Sequence, residues 1–220
     1  MQRIPEPELM NHPEQAKAYA EADFSEANKL FLQLFQRYFP DAEPLKVLDL
    51  GCGPGDITVA FARTFTRSRI WGVDGAEAML KFARQKTMDD SNLSGRIRWL
   101  RARIPADIGI HGFDGVISNS LLHHLHDPGI LWQSIRQNGQ AGAAVLVMDL
   151  FRPANLEAAK ALVDQYACDA PAVLQRDFFN SLCAAYRPGE IEEQLERAGL
   201  ENLAVEIVSD RHVAVHGLLK

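Results

Sequence analysis

The stretch Val47–Gly55, VLDLGCGPG, decides how this chain is read. It predicts a buried strand ending in Asp49, then a turn with glycines at positions 51, 53 and 55, then a helix starting near Ile57. Glycine permits a tight turn and close approach of a ligand to the backbone, and a helix start offers free amide donors. A second apolar strand ends at Asp74, about 20 residues beyond the turn, the spacing of an acid that hydrogen-bonds ribose hydroxyls. Together these features point to a nucleoside ligand. The dinucleotide fingerprint needs glycine at position 56, where this chain has Asp56. A pyrophosphate would also meet the carboxylates of Asp49 and Asp56, so a cationic ligand fits better and an NAD-dependent oxidoreductase is disfavoured.

Working outward, apolar strands alternate with helices. Strands are expected at Leu45–Leu50, Arg69–Asp74, Ile97–Ala102, Phe113–Ser118 and Ala143–Leu150, and helices at Ile57–Arg67, Ala76–Gln85 and Gly129–Gln137. Continuous apolar strands separated by helices indicate a mostly parallel sheet covered on both faces, a doubly wound α/β core. A further helix is expected at Pro188–Ala198, ending at Gly199. The strand-like runs Leu203–Val208 and His212–Leu218 are joined only by Ser209–Asp210–Arg211, which permits a hairpin and forbids a parallel crossover. One antiparallel strand is therefore expected.

Residues 1–44 read as an N-terminal helical segment. Within it, Pro13–Phe39 has the stripe of one helix, carried by Phe24, Leu30, Phe31, Leu34, Phe35 and Phe39. Residues 45–220 form the main domain. Inside that, about 35 residues at 152–187 are helical, far longer than the roughly 2–6 residues of an ordinary strand–helix loop. This insertion follows a strand's C-terminal end, so it is expected to form a cap over the ligand crevice.

The 220 residues are 47% hydrophobic and 24% charged, enough to bury a core without staples. Cys52, Cys168 and Cys183 are too few and too scattered for a disulfide framework or zinc site. No apolar signal core stands in MQRIPEPELMNHPEQ, and no apolar run approaches the ~20 residues of a membrane helix. A cytoplasmic protein without a membrane partner is expected. The net charge of −6 disfavours nucleic acid, although it averages over a basic stretch from Lys81 to Arg103 and an acidic one from Arg187 to Glu206. Oligomeric state is left open.

The motif VLDLGCGPG, with Gly72–Val73–Asp74, Ala76–Leu80, Phe113–Asp114 and Ser118–His124, resembles the class I S-adenosylmethionine-dependent methyltransferases, especially their small-molecule group. The resemblance covers roughly Leu45 to Leu150. It implies a seven-stranded Rossmann-like sheet of order 3-2-1-4-5-7-6 and S-adenosylmethionine as cofactor. It also implies that Asp49, Gly51 and Gly53 surround the methionine part, that Asp74 accepts both ribose hydroxyls, and that Gly75 and Met79 lie against adenine. Asn119 would meet the cofactor's amino group, with Ser120 beside it. Relatives commonly place an acid after the third strand to bind adenine, whereas this chain has Leu100–Ile104, LRARI. That leaves the backbone of Ala102 and Arg103, or the Arg103 guanidinium, to hold the ring.

His123, His124, His126 and Asp127 match no zinc motif, and no second cluster supplies further ligands, so no metal is expected. His124 is the candidate base, since an unperturbed imidazole titrates near 6.5. Candidate acceptor-binding residues are Tyr19, Phe24, His123, Asp149, Arg152, Arg176, Asn180, Tyr186 and Arg211, with Tyr166 and Asp177 in the cap. The expected activity is methyl transfer to a small molecule. RNA or protein methylation, or cofactor binding without chemistry, are the alternatives.

Overall fold

Five apolar runs pair in parallel at the centre of the molecule: β1 (Lys46–Leu50), β2 (Arg69–Asp74), β3 (Ile97–Arg101), β4 (Phe113–Asn119) and β5 (Gly139–Leu150). The structure is a computed structural model that describes residues 1–7, 9, 13–105 and 108–220. β6 (Ala204–Ile207) and β7 (His212–Leu218) complete a seven-stranded sheet of order β3-β2-β1-β4-β5-β7-β6. β7 runs antiparallel to both β5 and β6, as the short 209–211 connection requires. The doubly wound α/β fold and its strand order are as expected.

Helices cover both faces because the strands are apolar on both. On one face, α1 (Pro13–Glu21) and α2 (Ser25–Tyr38) precede β1, and α3 (Asp56–Thr64), α4 (Glu77–Met88) and α5 (Ser91–Arg96) lie between β1 and β3. Phe31, Leu34 and Phe35 of α2 enter the same core as Phe61, Ile70 and Leu146. On the other, α6 (Gly129–Asn138) brings Leu131, Trp132 and Ile135 into a core with Val116, Val145 and Val215. Between β5 and α9 (Pro188–Ala198) lie α7 (Leu156–Tyr166) and α8 (Ala172–Ala184), whose Ala159, Val163 and Leu182 pack together with Leu150.

Two expectations need correction. Pro13–Phe39 is two helices, because the Asp23 carboxylate accepts the Ser25 N–H at 2.9 Å and ends the first before the second begins. The short helix α5 has no apolar stripe to announce it and is started by Asp90, whose side chain accepts the N–H groups of Asn92 and Leu93.

Phe35 joins the N-terminal segment to the core, stacking edge-on against Phe61 at 4.8 Å and Phe65 at 5.4 Å with no exposure. Phe35→Ala is expected to lower stability by about 3–5 kcal/mol in urea denaturation. A loss under about 1 kcal/mol would show that α2 does not stabilise the core.

Candidate active site

The turn after β1 is held from several sides. Gly51 and Cys52 donate their N–H groups to the Val73 carbonyl at 2.8 and 3.0 Å, fixing the turn to the end of β2. One oxygen of Asp74 accepts the Gly53 N–H at 2.9 Å, and the other accepts the Ala76 N–H at 2.7 Å. Gly51, at φ +71°, lies so close to Leu121 that a Cβ there would meet its side chain at 2.8 Å. Gly53, at φ +53°, has nothing within 4 Å of the Cβ direction. It faces a cavity of about 760 Å³, inside the ~300–1,000 Å³ range of small-molecule sites.

That cavity collects every expected cofactor residue: Asp49, Gly51, Gly53, Asp74, Gly75 and Met79 from β1 through α4, and Ala102, Arg103, Asn119 and Ser120 from the ends of β3 and β4. Ser120 has φ +55°, a left-handed conformation uncommon outside glycine and often found at functional sites. The buried Asn119 Oδ1 has no hydrogen-bond partner among the described residues. Cys52 is buried, and burial, then Asp49 and Asp74, push its thiol well above its ordinary pKa, which suits a packing residue.

Asp49 is 1% exposed and accepts the Thr58 hydroxyl at 2.5 Å. Burial raises its pKa to about 7; the Thr58 bond opposes the shift and Asp74 adds to it. Burial likewise raises Asp74, against its two backbone bonds. A buried carboxylate and a half-buried one beside an open glycine turn are an arrangement that suits a cation.

The expected acceptor residues divide. Tyr19, Phe24, His123, His124, Tyr166, Asp177 and Arg211 line the cavity, whereas Asp149, Arg152, Arg176, Asn180 and Tyr186 do not. Arg152 is buried and spans from the Ala185 carbonyl (2.9 Å) to Glu190 (2.5 Å). Tyr186 donates to the Leu125 carbonyl at 2.8 Å beneath the Arg3 guanidinium. Arg176 is turned to solvent and bonds Asp177, and Asn180 is exposed. Arg176 and Asn180 lie on faces of α8 turned away from the cavity, and Arg152 and Tyr186, in the segments after β5 and α8, are tied to neighbouring backbone instead.

Asp149, at the end of β5, acts through His123. Its Oδ1 lies 2.5 Å from His123 Nδ1, and its Oδ2 accepts the His123 N–H at 3.2 Å. Burial opposes both charges, but their attraction wins, so His123 is raised and Asp149 lowered. His124 differs: burial, then neighbouring His123, push its pKa to about 3, leaving a neutral imidazole. That is a poor base at neutral pH, contrary to the role expected for it.

The residue sequence reasoning missed is Glu6. It approaches His123 Nε2 at 3.5 Å and His124 Nδ1 at 3.4 Å, and its Oε1 accepts the Ser181 hydroxyl at 2.9 Å. No local pattern marks it, because its partners lie more than a hundred positions away.

Residues 47–142 match the family described as a methyltransferase domain. Over that stretch, less than half of its length, the chain is similar to methyltransferase domains. Among curated relatives, it is 29% identical over 133 residues to the malonyl-[acyl-carrier protein] O-methyltransferase of Bacillus cytotoxicus, covering 60% of this chain and 44% of the relative. It is also 46% identical over 57 residues to the trans-aconitate 2-methyltransferase of Streptomyces coelicolor, covering 25% of this chain and 18% of the relative. The chain thus spans less than half the length of these relatives. Among solved structures, a SAM-dependent methyltransferase from Aquifex aeolicus aligns with TM-score 0.66 at 17% identity, covering 95% of this chain and 99% of that one. The plantazolicin methyltransferase BpumL aligns with TM-score 0.71 at 12% identity, covering 94% and 90%. These likenesses show the shared fold.

The residues of this core fit S-adenosylmethionine, the cofactor expected above. The open cradle at Gly53, the partnerless Asn119 Oδ1 and the paired acids Asp49 and Asp74 suit a ligand with a sulfonium, an ammonium and a ribose.

Because the folded-state pKa of Asp49 lies above its ordinary 3.8, its burial penalty is absent below about pH 4, grows up to about pH 7 and is constant beyond. Asp49→Asn should therefore gain thermal stability relative to wild type as pH rises from about 4 to 7. A bound cation reverses the preference by stabilising ionised Asp49, so cofactor affinity should increase from pH 6 to 8 in wild type and stay flatter in Asp49→Asn. Calorimetric titration across that range checks this, and parallel slopes in the two proteins would refute it.

Proposed function

We propose that the protein transfers a methyl group from S-adenosylmethionine to a small-molecule acceptor by in-line displacement. The observation carrying this reading is one cavity that joins the glycine turn, Asp74 and Asn119 to the residues expected to meet the acceptor. S-adenosylmethionine supplies the activated methyl on a sulfonium. Asp74, Asp49 and Asn119 hold and orient it. Tyr19 and Phe24, with ring centroids 4.7 Å apart, form an apolar wall that excludes water, and the α8 residues Asp177 and Phe178 close another side. Placing donor and acceptor together in such a pocket can supply about 7–11 kcal/mol of the barrier without a covalent nucleophile.

A small acceptor is favoured by the lining charge. Asp23, Glu26, Asp49, Asp56, Asp74 and Asp177 face Arg103 and Arg211, a balance that repels a phosphate backbone. Of the bases, Arg211 is stacked on Tyr166 at 3.4 Å and paired with Asp210, so it is already committed. The named relatives that act on malonyl-[acyl-carrier protein] and trans-aconitate point the same way. No described helix is long and apolar enough to cross a membrane.

S-adenosylmethionine and S-adenosylhomocysteine should raise the melting temperature while NAD should not, since a ligand selective for the native state stabilises it by mass action. Asp74→Ala is expected to weaken that binding about 10-fold or more, the scale of a lost hydrogen bond to a charged group, while Cys168→Ser leaves it intact. Absence of any shift with both sulfur ligands would overturn the assignment.

A further inference from the structure

We propose that Glu6, His123 and His124 form a binding site for one divalent transition-metal ion, zinc-like in its ligand preference, in the wall of the acceptor cavity. One ligand atom from each residue lies within 4.8 Å of those from the other two. Glu6 Oε1 stands 3.5 Å from His123 Nε2 and 3.4 Å from His124 Nδ1. A tetrahedral ion bound at about 2.0–2.1 Å by nitrogen and oxygen sets its ligands roughly 3.4 Å apart. Ordinary N–H···O bonds span about 2.7–3.2 Å. The two Glu6 edges match that polyhedron and are longer than ordinary hydrogen bonds, and the histidine–histidine edge, within 4.8 Å, would have to close to a similar length when the ion binds.

The surroundings are those of a metal centre. His123 turns Nδ1 to the buried Asp149 carboxylate at 2.5 Å, which leaves Nε2 as the outward-facing ligand atom. A carboxylate on the remote nitrogen is the usual partner of a metal-bound histidine, fixing its tautomer and ring plane. Glu6 is oriented by the Ser181 hydroxyl at 2.9 Å. The arm carrying Glu6 is anchored by Arg3, which donates to the carbonyls of Ala184, His123 and Leu125 at 2.5, 2.9 and 3.0 Å. His124 Nδ1 lies equally far, 3.4 Å, from the Pro7 carbonyl, a long contact that an ion would replace. All three side chains are largely buried, at 12%, 4% and 13% exposure for Glu6, His123 and His124.

Three protein ligands leave a fourth position open, the pattern of catalytic rather than structural zinc sites. His123 and His124 line the cavity, so that position faces the space assigned to the acceptor. It would take an oxygen or sulfur atom, which the ion polarises as a Lewis acid. This use rests on the methyl-transfer reading, whereas binding of the ion does not.

The test is titration of the full chain, stripped with a chelator, with Co²⁺ followed by Zn²⁺. We expect one Co²⁺ per chain, a visible d–d band of tetrahedral character, and displacement by Zn²⁺. Glu6→Gln and His124→Ala should each weaken Co²⁺ binding at least 10-fold, and Asp149→Asn about 10–100-fold. Cys168→Ser, which removes an exposed thiol, should leave it unchanged. Circular dichroism and retained S-adenosylhomocysteine binding by Glu6→Gln would establish that the variant is folded. Failure of wild type to bind Co²⁺, or equal binding by wild type, Glu6→Gln and His124→Ala, overturns the proposal. If metal binds and S-adenosylhomocysteine does not, the methyl-transfer reading fails while the metal site stands.

Discussion

The organisation of this molecule depends on a carboxylate that accepts two backbone amides. Asp74 takes the Gly53 N–H with one oxygen and the Ala76 N–H with the other. It thereby fastens the loop after β1 to the loop after β2, and opens both toward the same space. Such bonds to an ionised acceptor are among the stronger ones available to a protein. The cost is a half-buried carboxylate whose pKa is raised by desolvation. Asp49, on the neighbouring strand β1, stands under the same pressure. The site thus accumulates unfavourable negative charge that a cationic ligand relieves, so stability and affinity are opposed at one locus.

Across the cavity the same chemistry is arranged differently. Asp149 is fully buried yet lowered in pKa, because His123 supplies both charge and hydrogen bond. The two ends of the cavity therefore differ in how their acids are compensated. Near the glycine turn a ligand must supply the positive charge, and near β5 the protein supplies it. This asymmetry sets a cation-seeking end on β1 and β2 apart from a β4–β5 end whose charge is already compensated, the end to which the proposed function assigns the acceptor.

The sheet was legible because its strands are continuous apolar runs and its connections are either helix-length or, at Ser209–Arg211, too short to cross over. The cofactor end was legible for a related reason: Asp49, the glycines and Asp74 lie on consecutive strand ends, where spacing in sequence fixes spacing in the fold. The acceptor end was not. Arg152, Arg176, Asn180 and Tyr186 sit on segments of the right position, but which face of a helix or loop meets the cavity depends on tertiary packing. Glu6 is the extreme case, an acid in the N-terminal arm that gains meaning only beside His123 and Ser181.

The arm from Arg3 to Glu6 is joined to the cap by bonds that span very different parts of the chain, 181 positions for Arg3 to Ala184 and 175 for Glu6 to Ser181. Gln15 repeats the connection by donating to Asp177 at 2.8 Å across 162 positions. A ribosome makes these N-terminal residues well before their partners, and domains generally begin folding as they emerge. The arm must therefore wait, unseated, until α8 has been made and docked. Closure of this wall must wait on the cap, whereas the first five strands can pair before α8 has emerged.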